Sequence, residues 1–323
     1  KGCLHPRYIL KNVVAGVRDY GNRMGIPTAN GSVHFHKDFA AKPSIIVGAY
    51  GLIKKDIAQK GEPESGDYIF LIGGRTGRDG IHGATFSSGE MTESTIAVHA
   101  SAVQIGNAIE EKRMFDACLQ IAEKGYLRAI TDCGGGGLSS AVGEMAKHTG
   151  VRVYLEKCPL KYSGLAPWEI WLSESQERMV LAVPPEHIAN VQRICEGLNV
   201  EGTVIGEFTG DQMLHLTYED EEVCNLPMGF IHEGLPQRTM IGTTKTSAFE
   251  EPEIALKEDL TEELLGALAH LNVCSKEPII RQYDHTVQGG AVLYSLTGKT
   301  YTSPSDATVT EIILGSNRGL AVA

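Results

Sequence analysis

The apolar run YIFLI at residues 68–72 passes directly into a glycine-rich stretch, GGRTGRDGIHG, at residues 73–83. A short apolar run that ends at glycine is typical of a buried strand followed by a loop. Five glycines in eleven residues leave many backbone N–H groups accessible, and such loops can hold phosphate oxygens. The stretch therefore predicts a strand that leads into a ligand-binding loop.

The same loop carries side chains suited to an anion pocket: two arginines, a histidine and an aspartate that could orient them. The alternative is a tight turn in which the aspartate pairs with an arginine. A P-loop is excluded, because the GKT tripeptide at residues 298–300 has Leu293 where the motif needs its first glycine. The candidate pocket residues are Gly74, Arg75, Gly77, Arg78, Asp79 and His82.

Strands and helices alternate from about residue 66 to residue 245, which predicts a mixed α/β domain. Before it, apolar periodicity predicts a helix over Tyr8–Tyr20 closed by Gly21, and SIIVGAY at 44–50 predicts a buried strand. A polar linker and a helix near 261–271 follow the domain. Its predicted strands are 68–72, 127–131, 151–156, 179–183, 203–208 and 213–218. Its main predicted helices are 107–124, capped by Asn107, and 185–198.

The run DCGGGG at residues 132–137 lies between a predicted strand and a predicted helix. A carboxylate beside open backbone suits magnesium, which takes oxygen ligands and usually shares phosphate. The alternative is that Asp132 is the N-cap of the helix. A near match to a dinucleotide fingerprint, Gly135-x-Gly137-x-x-Ser140, departs at its third glycine.

Glu174, Ser175 and Gln176 place hydrogen-bond donors and acceptors side by side, as a ligand with hydroxyl and amide groups requires. The alternative is a solvated turn before a strand. His285, beside Asp284, could be oriented for proton transfer or could be a structural histidine.

Composition narrows the class of protein. The 323 residues suggest about two domains, and a net charge of −11 argues against a broad nucleic-acid interface, which needs clustered cations. The seven cysteines form no CxxC pair and favour a reducing compartment. No apolar run reaches the roughly 18–20 residues of a membrane helix. These features predict a soluble cytoplasmic protein.

Five segments, in this order, resemble the phosphoribosylformylglycinamidine synthase family of the aminoimidazole ribonucleotide (AIR) synthetase-like superfamily. They are GGRTGRDGIHGATFSS (73–88), AVQIGNAIEEKRM (102–114), DCGGGGLSSAVGEMA (132–146), PWEIWLSESQERM (167–179) and YDHTVQGG (283–290). Each repeat of that superfamily pairs an N-type with a C-type α/β domain. The resemblance implies a C-type domain flanked by partial N-type domains. Residues 1–60 would end the first N-type domain, 61–245 form the first C-type domain, 246–260 a linker, and 261–323 begin the second N-type domain.

The resemblance also implies a reaction, the ATP-dependent amidation of formylglycinamide ribonucleotide (FGAR) in purine biosynthesis. The formamide oxygen would attack the γ-phosphate of ATP, and ammonia from a glutaminase subunit or domain would displace phosphate from the resulting iminophosphate. Magnesium would neutralise charge on the transferring phosphoryl group. The expected cofactors are therefore ATP and Mg²⁺, and neither a nucleic acid nor a membrane is an expected partner.

Residue by residue, the resemblance implies that Gln104, Glu174, Ser175 and Gln176 bind substrate and that Asp132 binds magnesium. The sequence departs from the family at Cys133, where leucine is usual, and has an extra glycine in the run that follows. The family's catalytic histidine is expected before Lys1, so the chain alone is predicted to be inactive and to self-associate through exposed apolar surface. Two alternatives stay open: an AIR synthetase-like ATP-dependent enzyme, and a noncatalytic ligand-binding or scaffold module.

Overall fold

The computed structural model describes residues 4–39, 43–58, 61–81, 106–245, 251–253 and 257–323. They form two compact units, one of residues 52–235 and the other of residues 4–51 with 236–323. Both contain helices and strands, so the predicted mixed α/β class is confirmed. In the described ranges no helix is both long and apolar enough to cross a membrane.

The described helices lie in both units. They are α1 (Pro6–Met24), α2 (Ala108–Glu123), α3 (Leu138–Met145), α4 (Pro167–Leu172), α5 (Ile188–Gly197), α6 (Met228–Glu233), α7 (Thr261–Ala269) and α8 (Glu277–Ile280). The strands of the larger unit are β1 (Tyr68–Gly73), β2 (Ala129–Asp132), β3 (Val151–Tyr154), β4 (Arg178–Val183), β5 (Gly202–Phe208), β6 (Met213–Tyr218) and β7 (Glu221–Pro227).

These seven strands form one sheet in the order β2-β4-β1-β5-β3-β6-β7. Neighbours are antiparallel except β3 and β6, which run parallel. Strand β1 lies between β4 and β5, so both of its backbone edges are paired. The sheet therefore holds the start of the glycine-rich loop from two sides.

Successive side chains of β1 point alternately into two hydrophobic cores. Ile69 and Leu71 belong to a core that includes residues of α3 and α4, whereas Phe70 and Ile72 pack with residues of α2 and α5. All four side chains are almost fully buried. A strand buried on both faces reads as a continuous apolar run, which is why YIFLI shows no alternation of apolar and polar residues.

The smaller unit contains α1, α7, α8 and short strands at Ala291–Leu293, Leu296–Thr297, Ser303–Pro304, Thr308–Glu311 and Gly319–Val322. Helix α1 is longer than predicted at both ends. It ends at Gly25, whose φ of 71° is left-handed, so Gly21 lies inside the helix and does not close it.

The predicted buried strand over residues 44–50 is wrong. The structure has no strand there, and Ile46 and Val47 are 93% and 72% exposed. The run has the composition of a strand, but a strand needs a neighbour to satisfy its backbone groups, and no described strand pairs with it.

His285 has the structural role. Its Nδ1 lies 2.6 Å from the carbonyl oxygen of Thr28, and its Nε2 lies 3.0 Å from that of Ile280. The carboxylate of Asp284 accepts hydrogen bonds from the backbone and hydroxyl of Thr286 instead of orienting the imidazole. Both ring nitrogens are therefore occupied by backbone within the smaller unit.

Candidate functional site

The glycine-rich loop leaves β1 by passing close to the segment that precedes β4. Gly73 has a φ of 108°, and a Cβ atom there would overlap the carbonyl oxygen of Glu177. The N–H group of Gly74 donates to that same oxygen at 2.8 Å. Glycine is therefore required at residue 73 by both conformation and space.

Further along, the loop contacts the Glu174–Gln176 triplet. The N–H group of Gly77 donates to Ser175 Oγ at 2.9 Å, and the N–H group of Glu174 donates to the carbonyl oxygen of Asp79 at 2.9 Å. At Gly80, an added Cβ atom would overlap the side chain of Glu174. Two motifs singled out separately in the sequence thus form one structure, although about 100 residues lie between them.

Asp79, in the loop, binds both the triplet and a lysine side chain. Its Oδ2 accepts hydrogen bonds from Ser175 Oγ and from Lys161 Nζ, each at 2.7 Å. Partial burial opposes ionisation of Asp79, but the bonds from Lys161 and Ser175 outweigh it and hold the pKa of the carboxyl below its usual value. The alternative in which Asp79 pairs with an arginine is wrong, because the cation is Lys161.

Both arginines of the loop are held by carboxylates. Arg78 binds Glu169 through Nε and Nη2 at 2.7 and 3.1 Å, and Nη2 also donates to the carbonyl oxygen of Gly164. The hydrogen bond from Arg78 lowers the pKa of Glu169. Arg75 binds Glu201 at 2.7 Å. The positive charge expected for an anion pocket is therefore largely offset by neighbouring acids.

The second glycine-rich run lies beside Glu174, whose Oε1 accepts a hydrogen bond from the N–H group of Gly136 at 3.0 Å. Asp132 is exposed at the end of β2. The N-cap of α3 is Gly137, so the alternative that Asp132 caps this helix is wrong. In the described ranges, no three His, Cys, Asp or Glu residues are grouped as metal ligands.

The members of the triplet differ in exposure. Ser175 is fully buried, and its hydroxyl contacts Gly77, Asp79 and Ser173. Glu174 is half-buried, and Gln176 is exposed. Gln176 lines a cleft of about 740 Å³ together with Gly73, Gly74, Arg75, Lys161 and Glu177, among other residues. Gln104 and His82 lie outside the described residues.

Three residues that sequence reasoning missed hold the site together: Lys161, Glu177 and Arg178. Glu177 Oε1 accepts a hydrogen bond from the N–H group of Asn107 at 2.8 Å. Asn107 is the N-cap of α2, as predicted, but its side chain makes no cap bond. Arg178 is 3% exposed at the start of β4. An arginine that opens the apolar run RMVLAV was the available signal for it.

Comparison with known proteins gives the class. Residues 64–219 match the family described as AIR synthase related protein, C-terminal domain. This range contains β1, the glycine-rich loop and the triplet. The chain thus contains the C-terminal domain of an AIR synthase related protein.

The particular family follows from similarity over the full length. The chain is 38% identical over 333 aligned residues to the phosphoribosylformylglycinamidine synthase subunit PurL of Thermoplasma acidophilum, an alignment that covers 100% of this chain and 43% of that protein. Over its whole length the chain is therefore similar to this synthase family, as its five motifs predicted. It spans less than half the length of the curated relative.

Solved structures agree on the fold. A T. maritima PurL complexed with FGAR superposes with a TM-score of 0.70 at 25% identity, covering 94% of this chain and 46% of that one. A T. maritima PurL complexed with ATP gives 0.68 at 23% identity, with 93% and 44% covered. The AIR synthetase-like fold is confirmed.

Proposed function

We propose that this chain forms part of a synthetase that converts FGAR into formylglycinamidine ribonucleotide with ATP, in purine biosynthesis. The observation that carries the proposal is the contact between the Gly74–Ile81 loop and the Glu174–Gln176 triplet at the edge of a cleft. The PurL relative of T. acidophilum shares 38% of aligned residues with this chain, and a T. maritima PurL is complexed with FGAR.

Within this proposal, Gln176 contacts the substrate. Gln176 lines the cleft, and an amide carries donor and acceptor atoms of the kind that suit the formamide and ribose hydroxyl groups of FGAR. Its Nε2 also donates to the carbonyl oxygen of Glu174 at 3.1 Å. Gln104 supplies a second amide. Glu174 acts indirectly. Its carboxylate accepts a hydrogen bond from the N–H group of Gly136 and so fixes the second glycine-rich run. Ser175 contributes by positioning the loop.

Asp132 is the proposed magnesium ligand. Its carboxylate is exposed, and a residue in that position can share a hard cation with phosphate oxygens, because magnesium commonly takes only one or two carboxylates from the protein. Bound magnesium would neutralise charge on the phosphates of ATP. Asp132 and the backbone beside it would orient those phosphates.

The remaining parts of the proposal concern the whole protein. An amide oxygen leaves readily only after phosphorylation, so ATP activates FGAR and ammonia then completes the amidine. A glutaminase subunit or domain supplies that ammonia in the cytoplasm. Residues 1–60 and 261–323 are proposed to be partial N-type domains around the C-type domain 61–245, with 246–260 as linker.

Calorimetric titration of the chain with FGAR tests the substrate assignment. The unaltered chain is expected to bind FGAR, and Gln176→Ala is expected to weaken binding at least tenfold. Gln120→Ala is the matched control, because Gln120 is exposed on α2 and does not line the cleft. Equal affinity of all three proteins would contradict the assignment of Gln176, and absence of binding by the unaltered chain would contradict a preformed substrate site.

A further inference from the structure

We propose that Arg178 is a positioning residue, which holds the segment 173–176 against the glycine-rich loop. Its guanidinium group donates from Nε to the carbonyl oxygen of Ser175 at 2.9 Å and from Nη1 to Thr76 Oγ1 at 2.9 Å. Nη2 donates to the carbonyl oxygen of Ser173. One side chain thus binds two carbonyl groups of the segment 173–176 and one hydroxyl group of the loop.

The two carbonyl groups lie on either side of Glu174. When both are directed at one planar group, the direction of the intervening backbone is fixed as well. That backbone donates from Glu174 to the carbonyl oxygen of Asp79, which is a second connection to the loop. A lysine in place of Arg178 would present a single ammonium and could not reproduce the planar fork of donors.

Burial increases the free-energy cost of losing these hydrogen bonds. Arg178 is 3% exposed, and its three acceptors belong to Thr76, Ser173 and Ser175, each 0% exposed. A buried charge is costly unless its donors are satisfied, and a buried acceptor without a donor is costly too. An apolar side chain would fill the same space, but it would leave all three acceptors unsatisfied. The arginine therefore determines the orientation of the segment and does more than fill the core.

The segment 173–176 contributes both to the cleft and to the second glycine-rich run. Gln176 lines the cleft, and Glu174 receives the N–H group of Gly136 from the second glycine-rich run. A shift of Ser173 and Ser175 would displace both. This consequence for ligand binding rests on the proposed function, whereas the positioning itself does not.

Amide hydrogen exchange of the full chain tests the positioning without a ligand. In Arg178→Lys, exchange at the amides of Gly77 and Glu174 is expected to accelerate at least tenfold, while the amides of β1 and β4 keep their rates. Arg128→Lys is the control, because Arg128 forms a 3.0 Å ion pair with the buried Asp67, next to β1 at its opposite end. Unchanged exchange at Gly77 and Glu174 in Arg178→Lys would overturn the proposal.

A second variant decides the case in which Arg178→Lys accelerates exchange everywhere. Thr76→Val removes one acceptor of the guanidinium and keeps the arginine. Faster exchange confined to Gly77 and its neighbours in this variant supports positioning. Exchange identical to that of the unaltered chain overturns it.

The consequence of this positioning for ligand binding is tested by the FGAR titration. Arg178→Lys is expected to weaken FGAR binding about tenfold, and Arg128→Lys is expected to leave it unchanged. Undiminished affinity in Arg178→Lys would overturn the link between positioning and binding. If the unaltered chain does not bind FGAR, the preformed substrate site is contradicted, while the exchange rates still decide the role of Arg178.

Discussion

Ser175 donates its hydroxyl hydrogen bond to the carboxylate of Asp79 over 2.7 Å, inside a region where Ser175 has no exposed surface. The bond joins two motifs by their side chains, in addition to the backbone bonds that already connect them. A serine expected to face a ligand therefore faces the protein. The adjacent Gln176 takes the exposed position on the cleft.

Asp79→Asn should destabilise the larger unit by about 2 kcal/mol at pH 6, because hydrogen bonds to a charged group contribute about 1.5–3 kcal/mol. The folded-state pKa of Asp79 lies below the unfolded value of about 3.9. Its contribution is therefore fully present above that value and is lost as the pH falls through the folded pKa. Urea unfolding of both proteins between pH 6 and pH 3 should show the gap closing. A gap that is constant across this range would contradict the ionised pairing.

Gly137→Ala should destabilise the chain by more than about 2 kcal/mol, since its φ of 59° and ψ of −130° strain any side chain. An added Cβ would also overlap the carbonyl oxygen of Ser173. Gly143→Ala, inside α3, meets no atom of the described residues within 4 Å and should stabilise by about 0.5–1 kcal/mol. Thermal unfolding of the two variants should shift in opposite directions, and equal shifts would refute this reading of the turn.

Four buried thiols should resist modification in the folded chain. Burial raises the pKa of Cys118 and Cys158 to about 12 and that of Cys133 and Cys195 to about 11. Because the thiolate is the reactive form, a disulfide reagent at pH 8 should modify the half-buried Cys224 and Cys274 before these four. Peptide mass spectrometry over time measures the order, and full denaturation is the control. Early labelling of Cys158 would contradict its packing in the core that contains Ile69 and Leu71.

Asp132→Ala should leave thermal stability within about 0.5 kcal/mol, because the carboxylate is exposed and does not cap α3. On the proposed function, the same change should abolish the enhancement of ATP binding by magnesium. Glu144→Ala, which removes an exposed acid from α3, should preserve it. The measurement is ATP titration with and without magnesium. An enhancement that survives in Asp132→Ala would exclude this residue as the ligand.

The strands of the sheet could be predicted from sequence wherever the local pattern of apolar residues determines the structure. The strands at 68–72, 179–183, 203–208 and 213–218 are apolar enough on at least one face to be located within a residue. Strand β7 was missed, because most of its side chains are exposed and EEVCNLP has no apolar face to reveal it. At residues 44–50 the local pattern misled, since pairing depends on a neighbour that composition does not report.

The site was accessible only in part. Motif order placed the loop and the triplet in one family, and the structure brings them into contact. The ion pair between Lys161 and Asp79 joins residues 82 positions apart, and no local pattern indicates such a partner. Ser175 shows the same limit from the other side. Its residue type predicted hydrogen bonding to a ligand, whereas in the structure its hydroxyl contacts Gly77, Asp79 and Ser173, which are distant or buried partners that no local pattern reports.

Strand β1 lies between β4 and β5, and both of these neighbours come more than 100 residues later in the chain. During synthesis at roughly 5–20 residues per second, the ribosome would take on the order of ten seconds to add the partners of YIFLI. Closure of the sheet is a late, long-range event, which slows folding and leaves an apolar strand unpaired in the nascent chain. A chaperone that binds extended apolar segments would find a target at Tyr68–Gly73 until these partners are made.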